Sequence, residues 1–456
     1  VEPPPDSENW TQELDTLDTW FSSWLWAYET MDLETRRKFY PTSVLVTAPD
    51  IIFFWVARMI IAGLEFKPGR TPAIEDNIPF RDVFLTGLIR DKQGRKMSKS
   101  LGNSPDPLDL IAKYGADGLR FGLMRIAPSG QDIAFDEKQI EEGRNFATKL
   151  WNAARFRQMH GPSEAAPQLE AHGLSIYALE VLARFDELLL TTEAAYRDYK
   201  FNEVAQRLYD FFWSDYCDWF IEAAKTEIFS DDEGRKKSVL AVMDFVLSGF
   251  LRLLHPFMPH ITEELWSVFG FGAQGGDIKS NSIQFAAMPE AALSSLDPKV
   301  VAEARSKVAK VYETILAGRN LRATSRIPSN KKARFILRPA AGADDDRELP
   351  TISRLLNAEE LQLDPKFQPE AGVPVAMTPL GELHLIIAGG DSSAERDRLE
   401  KEIAKLENEL RTVEAKLSNA SFVDKAPAAV VQEHRKRKTD FTEQLAQLRK
   451  ARAAMD

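Results

Sequence analysis

A single cysteine in 456 residues leaves no internal disulfide to be made, and no Cys/His group in the sequence has the spacing of a zinc site. Cys217, set among aromatic residues, reads as an inert helical core position, and a disulfide-free chain suits a reducing cytoplasm. Long hydrophobic runs are also missing. The longest, Ile51 to Ala57, is far short of the roughly 20 residues that a membrane helix needs, and no secretory leader precedes it, so the expectation is a soluble cytoplasmic protein away from membranes. None of the six histidines stands in a His-x-Gly-His pattern. The net charge of -11 gives no overall attraction to a polyanion, but the charges are segregated. Residues 1 to 50 hold 10 acidic and 3 basic side chains, net -7, whereas residues 301 to 334 hold 9 basic and 2 acidic, net +7. Residues 395 to 452 hold 14 basic and 11 acidic, net +3. A positive field is therefore expected in the last third of the chain, where a phosphate backbone can be tracked.

What is present begins with Gly94-Arg95-Lys96-Met97-Ser98-Lys99-Ser100-Leu101-Gly102-Asn103. Two lysines and two hydroxyls in a glycine-bracketed loop can wrap a polyphosphate: the lysines supply mobile charge, the serines small donors, and the glycines the turns that let the loop open and close. An intact Lys-Met-Ser-Lys-Ser run arises by chance in roughly one of several thousand chains of this length, which favours this reading over a solvated basic turn.

Along the chain, short apolar runs at Ser43 to Thr47 and Val83 to Leu85 alternate with helical stretches at Ile51 to Ala62 and Pro107 to Tyr114, an α/β pattern. From Phe146 to Phe271 the apolar spacing is helical, as at Val204, Leu208, Phe211, Phe212, Cys217 and Phe220, with breaks at 161–163, 230–234 and 270–276. The aromatics around Phe211 to Phe220, at helical spacing, predict core rather than base stacking. A basic helix, Lys299 to Leu321, precedes strand-like stretches at Ala333 to Leu337 and Glu382 to Ile387. Last comes a heptad stripe, Leu399, Ile403, Leu406, Leu410, Val413 and Leu417. It breaks at 418–421 and resumes with Val431, His434, Phe441, Leu445 and Leu448. Two short helices with a turn between them fold back on each other more readily than they zip two chains together, which favours a monomer.

The run Thr86 to Asn103 resembles the lysine-loop region of class I aminoacyl-tRNA synthetases, and of their valyl branch in particular. The likeness extends to Leu17-Asp18-Thr19-Trp20-Phe21-Ser22-Ser23, Asp50 to Met59, Gly115-Ala116-Asp117-Gly118-Leu119-Arg120-Phe121 and Arg144 to Asn152. It continues in Cys217 to Glu222 and His255 to Trp266, so that it runs from about residue 14 to the C-terminus. The resemblance implies a multidomain chain. Residues 1–143 correspond to a partial α/β Rossmann-type half, the second half of the catalytic domain, and 144–290 to an α-helical anticodon-binding bundle. Residues 291–390 form a small α/β module and 391–456 a C-terminal antiparallel coiled-coil hairpin that contacts tRNA. In the family a His-Ile-Gly-His half precedes an editing insertion, and this chain begins at Val1 near the return from that insertion. The expectation is thus a C-terminal portion of a longer ligase, inactive in isolation.

In the whole enzyme the resemblance implies attack of the valine carboxylate on the α-phosphate of ATP, with Mg2+, then transfer of the valyl group to the terminal ribose of valine tRNA. Lys96, Ser98 and Lys99 are the candidate catalytic residues, and Gly87, Lys96, Met97, Ser98 and Lys99 the candidate ATP contacts. Lys99 is the stronger charge-stabilising candidate. Trp20, Asp50 and Ile51 map to the valine pocket, an apolar wall with a carboxylate for the α-amino group. ATP and valine bind together with the missing N-terminal half, and no protein-bound metal is expected in this chain. Arg319, Arg322, Arg326, Lys331 and Lys332 match the family's Arg-Asn-x-Arg, Ile-Pro and Lys-Lys pattern and, with Arg435, Lys436, Arg437 and Lys438, are the candidate tRNA contacts. The other reading is a free-standing tRNA-binding protein that keeps a degenerate half-site; the intact lysine loop and the Asp50 to Trp55 helix favour the ligase.

Overall fold

The computed structural model describes residues 5–128, 130–163, 169, 173–272, 281–294, 296–340, 346–370, 372–386, 392–418 and 428–453. Short helix α1 (Thr19–Ser23) starts where the Asp18 carboxylate accepts the Trp20 amide, an N-cap that offsets an orphan donor. The β-branched run Thr42–Thr47 forms strand β1. The chain then winds through a π-helical turn, Ile52–Val56, into helix α2 (Ala57–Glu65). It returns as strand β2 (Phe80–Leu85), which lies parallel to β1 with Thr42 opposite Phe80 and Thr47 opposite Leu85. The core beneath this sheet is small, made by Ala27, Val56, Met59 and Phe80. Val46, Phe53, Phe54, Ile61 and Phe66 stay exposed around it.

A second parallel pair, β3 (Ile89–Arg90) and β4 (Ile133–Ala134), flanks the lysine loop. Between them run helices α3 (Pro107–Tyr114) and α4 (Ala116–Arg125), and α5 (Glu137–Gln158) follows. Helices α4 and α5 approach so closely at Gly122 and Gly143 that a Cβ at either would sit 2.4 to 2.5 Å from a backbone carbonyl oxygen. Those two small residues permit the close contact between α4 and the first long bundle helix.

The bundle continues with α6 (Ile176–Arg197) and α7 (Phe201–Asp210), whose helix runs on through a π-helical stretch, Phe211–Ile221, into α8 (Glu222–Ile228). Helices α9 (Glu233–Leu254) and α10 (Pro259–Phe269) complete it. Phe211, Phe212, Tyr216, Cys217 and Phe220 are buried, as the spacing predicts, and burial pushes the Cys217 thiol up to about 12, which keeps it protonated and inert. The bundle is tied to the α/β region by two motifs far apart in sequence. Asp117 on α4 accepts the His260 and Ile261 amides at the start of α10 (3.2 and 2.7 Å), and Arg120 donates to the Pro256 and Phe257 carbonyls (2.9 and 3.3 Å).

Helix α11 (Pro298–Thr324) lies between α6 and a four-stranded sheet made of β5 (Ala333–Pro339), β6 (Ala358–Leu363), β7 (Val375–Thr378) and β8 (Gly381–Ile386) in the order β6-β5-β8-β7. Strands β5 and β6 are parallel, with helix α12 (Leu349–Leu355) in the crossover; β8 is antiparallel to both β5 and β7. Gly318 lets α11 press onto this sheet, since a Cβ there would meet Leu356 Cδ2 at 2.6 Å and Leu383 Cδ2 at 2.9 Å.

Helices α13 (Ser392–Ser418) and α14 (Ala428–Ala453) pack along each other in opposite directions: Glu400 pairs with Arg452, Glu407 with Arg449 and Glu414 with Lys438. Leu399, Val413, Val431 and Leu445 of the heptad stripe are buried between them. Residues 419–427, where the sequence places the turn, lie outside the described residues.

Candidate functional site

Strands β1 and β2 are parallel, so their carboxyl ends open on the same side, and there the Thr86 amide donates to the Thr47 carbonyl at 2.8 Å. Crevices beyond the carboxyl ends of parallel strands are where α/β folds take their ligands. Asp50 and Ile51 follow β1, Gly87 follows β2, and Trp20 stacks on Phe54 at 5.7 Å beside the π-helical turn. The lysine loop closes over this edge. Met97 donates its amide to the Ile89 carbonyl (3.0 Å), which folds the returning strand of the loop against β3, and Lys96 Nζ sits 2.8 Å from Asp50 Oδ2.

The two lysines of the loop are therefore in different electrostatic states. Lys96 is paired, and its hydrogen bond holds the Asp50 carboxyl below the usual carboxylate range. Lys99 is exposed and has no ion-pair partner among the described residues. Ser98 Oγ lies 3.1 Å from Ser100 Oγ and accepts the Leu101 amide, so this hydroxyl supports the loop's own turn. Asp50, Ile51 and Lys96 thus meet at the carboxyl end of β1, with Trp20 beside them on Phe54, while Met97 is held on β3 and Ser98 within the loop. Gly87 stands a little apart, for its lack of a side chain answers to packing: a Cβ there would lie 1.7 Å from the Gln131 carbonyl oxygen.

Among the described residues no group of three or more His, Cys, Asp or Glu side chains converges as a metal site. An apolar cavity of about 350 Å³ lies at the joint between the α/β region and the bundle, where Gly87 and Ile89, at the foot of the loop, line it together with Phe84, Leu123, Tyr199 and Phe257. Sequence periodicity does not mark it, because its walls come from elements more than a hundred residues apart.

The basic cluster divides on inspection. Arg322 is 4% exposed, and its guanidinium donates to the carbonyls of Leu356 (2.6 Å), Asn357 (3.0 Å), Pro328 (3.0 Å), Ser329 and Lys331. The Arg322 guanidinium, expected at RNA phosphate, is instead turned inward and engaged by these backbone carbonyls. Arg319 is also engaged, donating to the Leu355 carbonyl at 3.1 and 3.2 Å with its guanidinium over the Trp219 ring. Arg326, Lys331 and Lys332 are exposed on the loop that Arg322 clamps, with no ion-pair partner among the described residues. On α14, Arg437 pairs with Glu433 and Lys438 with Glu414, whereas Arg435 and Lys436 are exposed with no such partner among the described residues.

Comparison with known proteins agrees with this layout. Residues 5–136 match the family described as tRNA synthetases class I (I, L, M and V), 178–337 the anticodon-binding domain of tRNA ligase, and 391–456 the valyl tRNA synthetase tRNA binding arm. A valine-tRNA ligase of Bacillus licheniformis is 40% identical over 452 residues, 97% of this chain and 49% of the relative; one from Geobacillus stearothermophilus gives the same figures. The chain thus spans about half the length of the curated relatives it matches. Among solved structures, the Agrobacterium radiobacter K84 LeuRS-tRNA-LeuAMS complex shares the fold at a TM-score of 0.50 and 17% identity, over 68% of this chain and 41% of that one.

Proposed function

Since the chain belongs to the valyl-tRNA synthetase family of class I enzymes, we propose that it is the lysine-loop and tRNA-binding half of a valine-tRNA ligase, working in the cytoplasm. The observation that carries this reading is the closure of the Lys96–Ser100 loop over the carboxyl end of β1, with Lys96 on Asp50. In the joined enzyme the apolar faces of Trp20 and Ile51 form one wall for the valine side chain, and the Asp50 carboxylate receives the α-ammonium. Lys99, exposed and without an ion-pair partner among the described residues, stabilises negative charge on the departing pyrophosphate. No protein nucleophile takes part; the rate gain comes from in-line positioning and preplaced charge. ATP, valine and Mg2+ are ligands of the assembled site.

The tRNA lies along the rest of the chain in this reading. We assign the helical region after about residue 144 to the anticodon stem. The α13–α14 pair is a coiled-coil arm, with Arg435 and Lys436 as its free phosphate contacts, and the sheet module of residues 291–390 joins the two. Arg326, Lys331 and Lys332 supply the contacts between bundle and arm, on a loop whose shape Arg322 maintains. The chain acts as a monomer. The test is reconstitution: this chain is mixed with the N-terminal half of a valine-tRNA ligase and valine-dependent ATP/pyrophosphate exchange is measured. Exchange that needs both pieces and is lost in Lys99→Ala supports the proposal. Exchange untouched by Lys99→Ala contradicts it.

A further inference from the structure

Asp91 and Asn103 stand at the two feet of the lysine loop, and their side chains meet: Asn103 Nδ2 donates to Asp91 Oδ2 at 2.9 Å. Each also reaches into the loop. Asp91 Oδ1 accepts the Gln93 and Arg95 amides (3.0 and 2.9 Å), and its Oδ2 accepts Arg95 Nε at 2.8 Å as well. Asn103 Oδ1 accepts the Ser98 amide at 2.9 Å, while its Nδ2 is shared with the Lys96 carbonyl at 3.3 Å. Only one amide orientation satisfies this set, because the nitrogen must face a carboxylate and a carbonyl while the oxygen faces an N–H. The carboxylate is nearly enclosed, at 9% side-chain exposure. Asn103's hydrogen bond, followed by those of Arg95 and Gln93, holds it down to about 2.

The bonds fall on particular residues. Asn103 grips the backbone of Lys96 and of Ser98, two of the residues assigned to polyphosphate binding, while the turn that carries Lys99 is tied by the Ser98 hydroxyl to Ser100 and Leu101. A charge-dense ligand needs its donors held in register before it arrives, since ordering them afterwards subtracts from affinity. We infer that Asp91 and Asn103 are positioning residues: they form a clasp that holds Lys96 and Ser98 in the geometry that receives an inorganic polyphosphate, pyrophosphate or the phosphate end of ATP. This inference rests on the reading of the loop as a phosphate binder. The clasp touches no ligand itself and acts through the backbone of the two residues it grips.

The probe is inorganic pyrophosphate, titrated against the full chain by calorimetry and compared among the unmodified protein, Asn103→Ala, Asn103→Asp and the exchanged pair D91N/N103D, with Lys99→Ala as a control. A thermal melt is recorded for each. Loss of the clasp should weaken binding about tenfold in Asn103→Ala, with the main melting transition in place. Asn103→Asp sets two carboxylates face to face and should weaken it further; D91N/N103D, which restores one donor and one acceptor, should recover part of that loss. Unchanged pyrophosphate affinity in Asn103→Ala overturns the clasp. So does loss of binding that simply follows a lowered melting temperature and is not recovered in the exchanged pair. If the unmodified chain fails to bind pyrophosphate and Lys99→Ala changes nothing, the phosphate reading of the loop itself falls, an outcome distinct from failure of the clasp alone.

Discussion

At the scale of single residues, environment sorts side chains that the sequence presents as equals. Arg322 and Lys331 belong to the same basic cluster, yet one is clamped and the other exposed. Arg322→Ala leaves several inward carbonyls unsatisfied and should lower stability by about 2–4 kcal/mol in a chemical melt. Lys331→Ala should leave stability alone and weaken tRNA binding with a shallower salt dependence. Asp215 supplies a pH test. It lines a small cavity with Glu180, Trp219 and Tyr312, and burial raises its carboxyl to about 6. An acid whose folded pKa lies above its unfolded value near 3.8 favours folding while protonated, so its contribution is present below pH 4 and lost as pH rises through 6. Asp215→Asn should flatten melting temperature against pH across that window and stabilise the protein at pH 7.5 by about 1–2 kcal/mol after allowance for partial exposure. The sequence made the lysine loop legible because its spacing is local. It could not show that Lys96 pairs with Asp50, which lies 46 residues away beyond another strand, and the Asn103 grip, though local, depends on a loop conformation that spacing alone does not give.

At the scale of elements, local pattern and fold agree best where one face is buried. The runs Thr42–Thr47 and Ala333–Pro339 form strands and Pro107–Tyr114 a helix close to the limits that their composition predicts. Strand β6, Ala-Glu-Glu-Leu-Gln-Leu, escaped the sequence reading. It is an edge strand, so its half-exposed carboxylates dilute the apolar alternation. The last two helices test the heptad argument: Leu445 is 4% exposed between them, and Leu445→Ala should cost about 2–4 kcal/mol locally, seen as faster amide exchange in both α13 and α14. Exchange that changes in α14 alone would mean that the two helices do not stabilise each other.

At the scale of the whole molecule, the large core joins the bundle to the four-stranded sheet, while the two-stranded β1–β2 sheet rests on a separate cluster of four buried residues and leaves Phe53 84% exposed. Strands β1 and β2 should accordingly exchange their amides fastest among the strands, and addition of the N-terminal half of a valine-tRNA ligase should slow them first. The central claim, that this chain carries the tRNA-recognising part of such a ligase, is tested most directly by filter binding with valine tRNA and a non-cognate tRNA at low and moderate salt. The account predicts tighter binding of the valine tRNA, falling steeply with salt through the exposed lysines and arginines of α11–β5 and α14. Equal affinity for the two tRNAs at both salt concentrations would contradict it.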